Sequence, residues 1–228
     1  MKQFGLFVFL LFSFRGYAQQ TDYVDFKRAK ITIGIIPDSS KVMGMVDYEF
    51  KILKPVDSIY INAVNMNFNN VFIVNKKVSY RNDGKKLWLK SSFKKDSLYN
   101  VSFNYSADPK KALYFIDWEN ENGNKQIWTQ GQGKYTSNWL PSIDDMNDKI
   151  EFDLNIRFDK HYEVIANGDL TNKKINDSTI TWHYNMDQPM SSYLVALAIG
   201  KYDKKVETAK SGTSLEMYYY PEDSLKFE

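Results

Sequence analysis

The chain has 228 residues, 43% hydrophobic and 16% aromatic, with 30 Lys and Arg against 28 Asp and Glu, two histidines and no cysteine. Without cysteine there is no disulfide framework, no thiolate nucleophile and no lipid attachment at a thiol, so stability must come from an ordinary core. The near-balanced charge argues against nucleic acid or an anionic membrane as partner, since both require a basic face.

Residues 1–18 read as an export signal. Lys2 is the charged end, Phe4 to Phe14 the apolar run, and Gly16-Tyr17-Ala18 the cleavage site. The run falls short of the roughly twenty apolar residues of a permanent membrane anchor. Cleavage removes Lys2 and Arg15 and no acid, so a mature chain starting near Gln19 carries no net charge. Strands are then expected over 30–36, 42–53, 58–64, 71–80 and 86–90, with turns at Pro37-Asp38-Ser39-Ser40 and Arg81-Asn82-Asp83-Gly84. Tyr99, Val101, Phe103 and Tyr105 alternate with Asn100, Ser102, Asn104 and Ser106, the period of a strand with one wet face.

After a softer seam at Asp108-Pro109, strands are expected over 113–118 and 126–130, on either side of a turn at Glu121-Asn122-Gly123-Asn124. Phe152, Leu154, Ile156 and Phe158 alternate with Glu151, Asp153, Asn155, Arg157 and Asp159, the clearest strand signal in the chain. Strands over 163–167, 180–184 and 215–220 follow, with a turn at Asn167-Gly168-Asp169. Residues 193–199 form an almost unbroken apolar run, as in a strand buried on both faces, which makes Tyr193 and Leu194 core residues. No helical period precedes residue 220. Pro221, Glu222 and Asp223 then stand where a helix would start, and the simplest reading is that residues 222–228 begin a second, truncated domain. Residues 19–228 therefore form one all-β domain, a sandwich or large curved sheet.

Metal chemistry has few candidate ligands. His161 and His183 are the two histidines, there is no HExxH helix, and His183 falls on the polar face of its strand, where the plain reading is a solvent-facing side chain. No GxSxG elbow, P-loop or dinucleotide fingerprint occurs. Asp144 and Asp145 are adjacent, and capping or solvated turn carboxylates are the roles that spacing suits.

The most informative stretch is Trp128-Thr129-Gln130-Gly131-Gln132, followed by Trp139-Leu140-Pro141-Ser142-Ile143-Asp144-Asp145. It puts amide side chains in a glycine-flanked loop right after a strand. An exopeptidase must tell a terminal ammonium from an internal amide, and acceptor oxygens placed where the ammonium donors point would do so. Gln130 and Gln132 supply such oxygens; the alternative is that they only fasten the loop to the neighbouring sheet. Trp139 and Pro141 read as packing residues.

Taken in order, Thr129-Gln130 with Gln132, Trp139 with Pro141 and Asp144, Val164 with Asn167-Gly168, Thr181-Trp182, Met190 with Ser192-Tyr193-Leu194, and Ala198 with Gly200 resemble the N-terminal domain of the aminopeptidase N family of zinc metallo-aminopeptidases. Ile31-Thr32-Ile33 to Pro37, then Gly44, and Leu98-Tyr99 to Tyr105 fit as well, so the resemblance spans essentially the whole mature chain.

That resemblance implies a saddle-shaped antiparallel or mixed β domain beside a zinc catalytic domain. It implies Gln130 lining the pocket for the first substrate residue, and Gln132 at a position where many members carry a glutamate that pairs with the ammonium. The family's Zn2+ belongs to a catalytic domain bearing HExxH and a GxMEN-like loop, neither of which occurs here. The implied partners are peptide N-termini and that missing catalytic domain, and the chain alone is not expected to be a peptidase. Sequons at Asn100, Asn104 and Asn176 matter only in a eukaryotic secretory pathway, whereas the abundance of Asn, Lys, Ile and Tyr suggests an AT-rich bacterial source and a periplasmic, cell-envelope or secreted location. Two competing readings are a stand-alone exported module that binds peptides or a partner protein, polar on every face, and a carbohydrate-binding sandwich, which exposed tryptophans on one flat sheet face would favour.

Overall fold

The computed structural model describes residues 19–226, so residues 1–18, where an export signal is expected, lie outside the described residues. The order of strands is β1 (Val24–Ile36), β2 (Lys41–Ile52), β3 (Val56–Asn62), β4 (Asn67–Ile73), β5 (Lys76–Lys77), β6 (Tyr80–Asn82), β7 (Lys86–Phe93), β8 (Leu98–Ala107), β9 (Leu113–Ile116) and β10 (Gln126–Thr129). There follow β11 (Ile150–Asp159), β12 (Glu163–Ala166), β13 (Asp169–Ile175), β14 (Thr179–Met190), β15 (Leu197–Gly200), β16 (Asp203–Thr208) and β17 (Ser214–Tyr219). No α-helix occurs among the described residues; Pro221–Lys226, where a helix start was expected, is a 3-10 turn, and 227–228 lie outside them.

Eight strands form the large sheet in the order β13-β14-β11-β1-β2-β8-β4-β5. A four-stranded sheet, β12-β15-β10-β9, a three-stranded sheet, β3-β7-β6, and the hairpin β16-β17 complete the fold. The large sheet is mixed, because β1 runs parallel to β11, with Ile31 opposite Leu154, and antiparallel to β2, with Ile31 opposite Val46. The alternation seen in the sequence follows from this pleat: Phe152, Leu154 and Ile156 are buried while Asp153, Asn155 and Arg157 face outward. One continuous core joins the inner face of the large sheet to Ile59, Ile61, Leu87 and Leu89 of the three-stranded sheet and Ile127 and Ile199 of the four-stranded one. Each such side chain contributes about 1.5–3 kcal/mol by leaving water.

Three expectations fail for local reasons. The strand over 71–80 breaks after Ile73, because Val74 and Asn75 take left-handed backbone with φ of 46° and 61° and reverse the chain into β5. The apolar run over 193–199 is not one strand. Ser192–Leu194 is a 3-10 turn, closed by Leu194 N–H donating to the Ser191 carbonyl at 3.0 Å, and only Leu197 onward joins the sheet. That turn rotates Leu194 outward, 47% exposed, and leaves Tyr193 half-buried, so neither is core. Two further strands, β13 and β16, carry no alternation in sequence. Every residue of β13 is exposed, and an edge strand with no buried face has no apolar period to show.

Candidate functional site

The loop after β10 is held from several sides. Gln130 N–H donates to the Ala112 carbonyl at 2.8 Å, continuing the β9–β10 ladder past its last pair, Leu113 and Thr129. Thr129 Oγ1 accepts from Leu197 N–H at 2.9 Å, and Thr136 Oγ1 donates to the Ser192 carbonyl at 3.1 Å. Gly131 is buried between these attachments, where a Cβ would collide with the Tyr193 carbonyl and Thr136 Oγ1. The turn continues through Gly133 and Lys134 with φ of 86° and 68°, which sets Gln132 on the exposed outside. Gln130 Nε2 lies 3.4 Å from Gln132 Oε1, so the two exposed amides form one polar unit on an anchored base.

The following segment fastens this base to the core. Ser142 exchanges both backbone hydrogen bonds with Asn62 at the end of β3, at 2.8 and 2.9 Å, and Val64 N–H reaches the Ser137 carbonyl at 2.7 Å. Tyr48, on β2, donates its buried hydroxyl to the Pro141 carbonyl at 2.8 Å, and burial pushes its phenol far above the usual range, so it stays a donor at all ordinary pH. Trp139 is buried.

Asp144 is not the solvated turn carboxylate that its neighbourhood suggested. It is partly buried and accepts hydroxyls of Ser137 at 2.6 Å and Ser142 at 3.0 Å. Burial raises its carboxyl above the usual range, while those two hydroxyls, Lys134 and Lys86 pull it back down. Asp145 does behave as a cap, accepting Asn147 N–H at 3.0 Å and Thr21 Oγ1 at 3.2 Å.

Next to the amide pair lies an apolar face of the four-stranded sheet. Tyr114, Trp128, Ala198 and Ile165 are direct cross-strand partners, and so share one side of it. Their opposite-facing neighbours Ile127, Ile199 and Val164 are buried in the core. The Tyr114 and Trp128 rings pack at 4.7 Å between centroids, and Trp128 remains 38% exposed. Gln130, two residues past Trp128, extends the same side.

His183 sits half-buried on β14, paired across the ladder with Asn155 and Asn172, and His161 contacts Asp159 at 2.7 Å. Among the described residues no group of three His, Cys, Asp or Glu side chains could hold a metal ion. A zinc ion thus finds no fitting donor set there. No helix of the described residues is long and apolar enough to cross a membrane. Thr136 and Asn62 carry no signal in the sequence as fasteners, whereas Asn167, legible there as part of a turn with Gly168, turns out also to accept Ala196 N–H on its Oδ1 at 2.6 Å.

The family described as "Peptidase M1 N-terminal domain" matches residues 22–194. Among curated proteins, "Probable aminopeptidase 1" of Sulfurisphaera tokodaii is 24% identical over 156 residues, covering 68% of this chain and 19% of that protein. "Aminopeptidase N" of Lactococcus lactis subsp. cremoris is 26% identical over 192 residues, covering 82% of this chain and 22% of that one. The crystal structure of an M1 zinc metallopeptidase from Deinococcus radiodurans superposes with a TM-score of 0.74 at 12% identity, over 86% of this chain and 47% of that one. The chain thus spans about a fifth of the length of these curated relatives.

Proposed function

Because the chain belongs to the peptidase M1 family, matching its N-terminal domain over residues 22–194, we propose that it forms the amine-end wall of the substrate pocket in a zinc-dependent aminopeptidase. The observation that carries this reading is the exposed Gln130 and Gln132 pair, 3.4 Å apart on a loop whose base is buried and hydrogen-bonded. Two amide oxygens on a rigid base can accept from a terminal ammonium without first paying to order themselves. Gln132 is uncharged, so it anchors the ammonium by an ordinary hydrogen bond, weaker than the charge-assisted bond a glutamate would make. Gln130 borders the side chain of the first substrate residue.

The peptide bond is cleaved by the family's zinc domain, which contacts this chain across the Tyr114, Trp128, Ala198 and Ile165 face. That face tells against a stand-alone module polar on every side, because Trp128 keeps 38% of its surface exposed in an apolar row. Export to the periplasm, the cell envelope or the medium, read from residues 1–18, belongs to the same proposal.

The test is aminopeptidase activity on a fluorogenic alanyl substrate with zinc, for the chain alone and joined to a zinc domain of the family. Activity is expected only in the joined protein, and Gln132→Glu there lowers KM for peptides with a free amine. An unchanged KM across N-terminally free peptides removes the role given to Gln132.

A further inference from the structure

The three-stranded sheet has a second face with no part in the pocket wall. Ile59, Ile61, Leu87 and Leu89 point into the core, and the alternate positions Ser58, Tyr60, Trp88 and Lys90 point out. Tyr60, Trp88 and Arg81 are direct partners across β3, β7 and β6, so two rings and a guanidinium stand in one row. The ring centroids are 5.1 Å apart, and Arg81 Cζ is 5.0 Å from the indole centroid. Lys86 Nζ lies 3.5 Å from the Tyr60 centroid and 5.3 Å from that of Trp88.

The row is fixed in place. Trp88 Nε1 donates to Asp83 Oδ2 at 2.6 Å, and Asp83 Oδ1 accepts the backbone N–H groups of Lys85 and Lys86 at 3.0 and 2.8 Å. The acid on this face is therefore occupied in holding the indole. At the other end of the row, burial first and then the charges of Asp145 and Asp144 raise the Tyr60 phenol above its ordinary value. Arg81 keeps 66% of its side chain exposed, with its closest acid contact a long 3.8 Å to Asp83. Beside it opens a hollow of about 420 Å³ lined by Ser58, Ser79, Tyr80, Arg81, Trp88 and Lys90, with two cations and no carboxylate. That volume falls within the roughly 300–1,000 Å³ of small-molecule sites.

A ligand for this hollow needs an apolar ring face for the indole, hydroxyls for the two serines and an anion for the cations. A guanidinium grips a carboxylate by two parallel hydrogen bonds, and aromatic rings favour ligands that present C–H edges to their faces. On the β3 side of this sheet an extended peptide has no free backbone to pair with at Tyr60, because Gln20 Nε2 donates to the Tyr60 carbonyl at 2.8 Å and Gln20 Oε1 accepts Tyr60 N–H at 2.6 Å. The β6 edge beside the hollow pairs with β7 alone, which is why a peptidic counterpart enters the test. We propose that this face binds an anionic saccharide, with a uronate carboxylate on Arg81 and Lys90 and the pyranose against the part of Trp88 that lines the hollow. The site is independent of the peptidase reading, being built on a different sheet.

The experiment is calorimetric titration of the full chain with trigalacturonate, with tryptophan fluorescence recorded alongside, and with maltotriose and triglutamate as neutral and peptidic counterparts. Trigalacturonate is expected to bind and to perturb tryptophan emission, while Arg81→Gln weakens binding about tenfold or more at an unchanged unfolding temperature. Lys90→Gln, equally remote from the core, weakens it in the same direction. No binding at millimolar trigalacturonate overturns the proposal. So does equal binding of triglutamate or maltotriose, or an affinity indifferent to both substitutions.

Discussion

Replacing Asp148 by asparagine changes how stability depends on pH. Asp148 precedes β11, is only 5% exposed and accepts the Phe26 N–H, where β1 bulges between Phe26 and Arg28. Its Oδ2 has no hydrogen-bond partner in the protein. Burial, reinforced by Asp25 and Asp145, pushes its carboxyl up to about 7, against the pull of the Phe26 amide and Lys27.

The folded state therefore holds a proton that the unfolded chain, with a carboxyl near its ordinary value of 3.8, has already lost. Below that ordinary value both states are protonated and nothing is lost. As pH rises from about 4 to about 7 the folded state must keep or surrender that proton at a cost, and above about 7 the penalty is constant. A shift of about three units corresponds to about 4 kcal/mol at most, and partial hydration of the carboxylate makes about 2–4 kcal/mol the expected range.

Asparagine keeps an acceptor for Phe26 and removes the ionisation, but its amide brings donors to the place where Oδ2 has no partner, costing about 1 kcal/mol or more. Urea unfolding at pH 5 and pH 8 measures both effects. Part of the penalty is already present at pH 5 and offsets the cost of the amide, so the Asp148→Asn variant should be about as stable as the parent at pH 5 and gain about 1–2.5 kcal/mol relative to it on going to pH 8. Asp144, raised in the same direction, leaves a residual slope in both proteins. A difference between variant and parent that is the same at the two pH values refutes the assignment.

Gly131→Ala should destabilise the protein by about 1–3 kcal/mol and raise amide exchange at Tyr135, whose N–H donates to the Gly131 carbonyl at 3.0 Å, because the Tyr193 backbone cannot withdraw from a new methyl. Tyr48→Phe leaves the Pro141 carbonyl without its donor, and thermal unfolding should report a loss of about 1–2 kcal/mol with the aromatic packing on Phe26, at 5.5 Å, retained. The Arg28 and Asp153 pair, 2.6 Å apart but half in water at the arginine, should contribute less than about 1 kcal/mol in a double-mutant cycle, and less again at high salt.

The strands that declared themselves in the sequence are those with one wet and one dry face. β11 and β8 alternate because the core takes every second side chain. β13 was invisible because nothing takes any of its side chains, and the run over 193–199 misled because apolarity says nothing about backbone pairing when a 3-10 turn can expose Leu194 and still bury Val195. The parallel partnership of β1 with β11 has no local signal, since the residues that choose each other are far apart in the chain. At the candidate site, the position of Gln130 and Gln132 just past a strand was legible, and so was the packing role of Trp139. The stitching by Thr136, Asn62 and Asn167 was not, because a side chain that bonds to a distant backbone looks like any other polar residue. Trp88 drew no attention for a similar reason: its meaning depends on Tyr60 and Arg81 standing beside it across two strand pairings.

The parallel pairing of β1 and β11 also dictates an order of events. Arg28 and Asp153 meet across 125 residues, and closing so long a loop must be paid in chain entropy before any contact between those strands repays it. The segment carrying Gln130 and Gln132 lies wholly inside that loop, and its last attachments lead directly into β11. The loop bearing the amide pair is itself fastened at Ala112, which precedes it, and at Ser192 and Leu197, which follow β11, so the pair has its fixed geometry only when segments from both sides of β11 are in place.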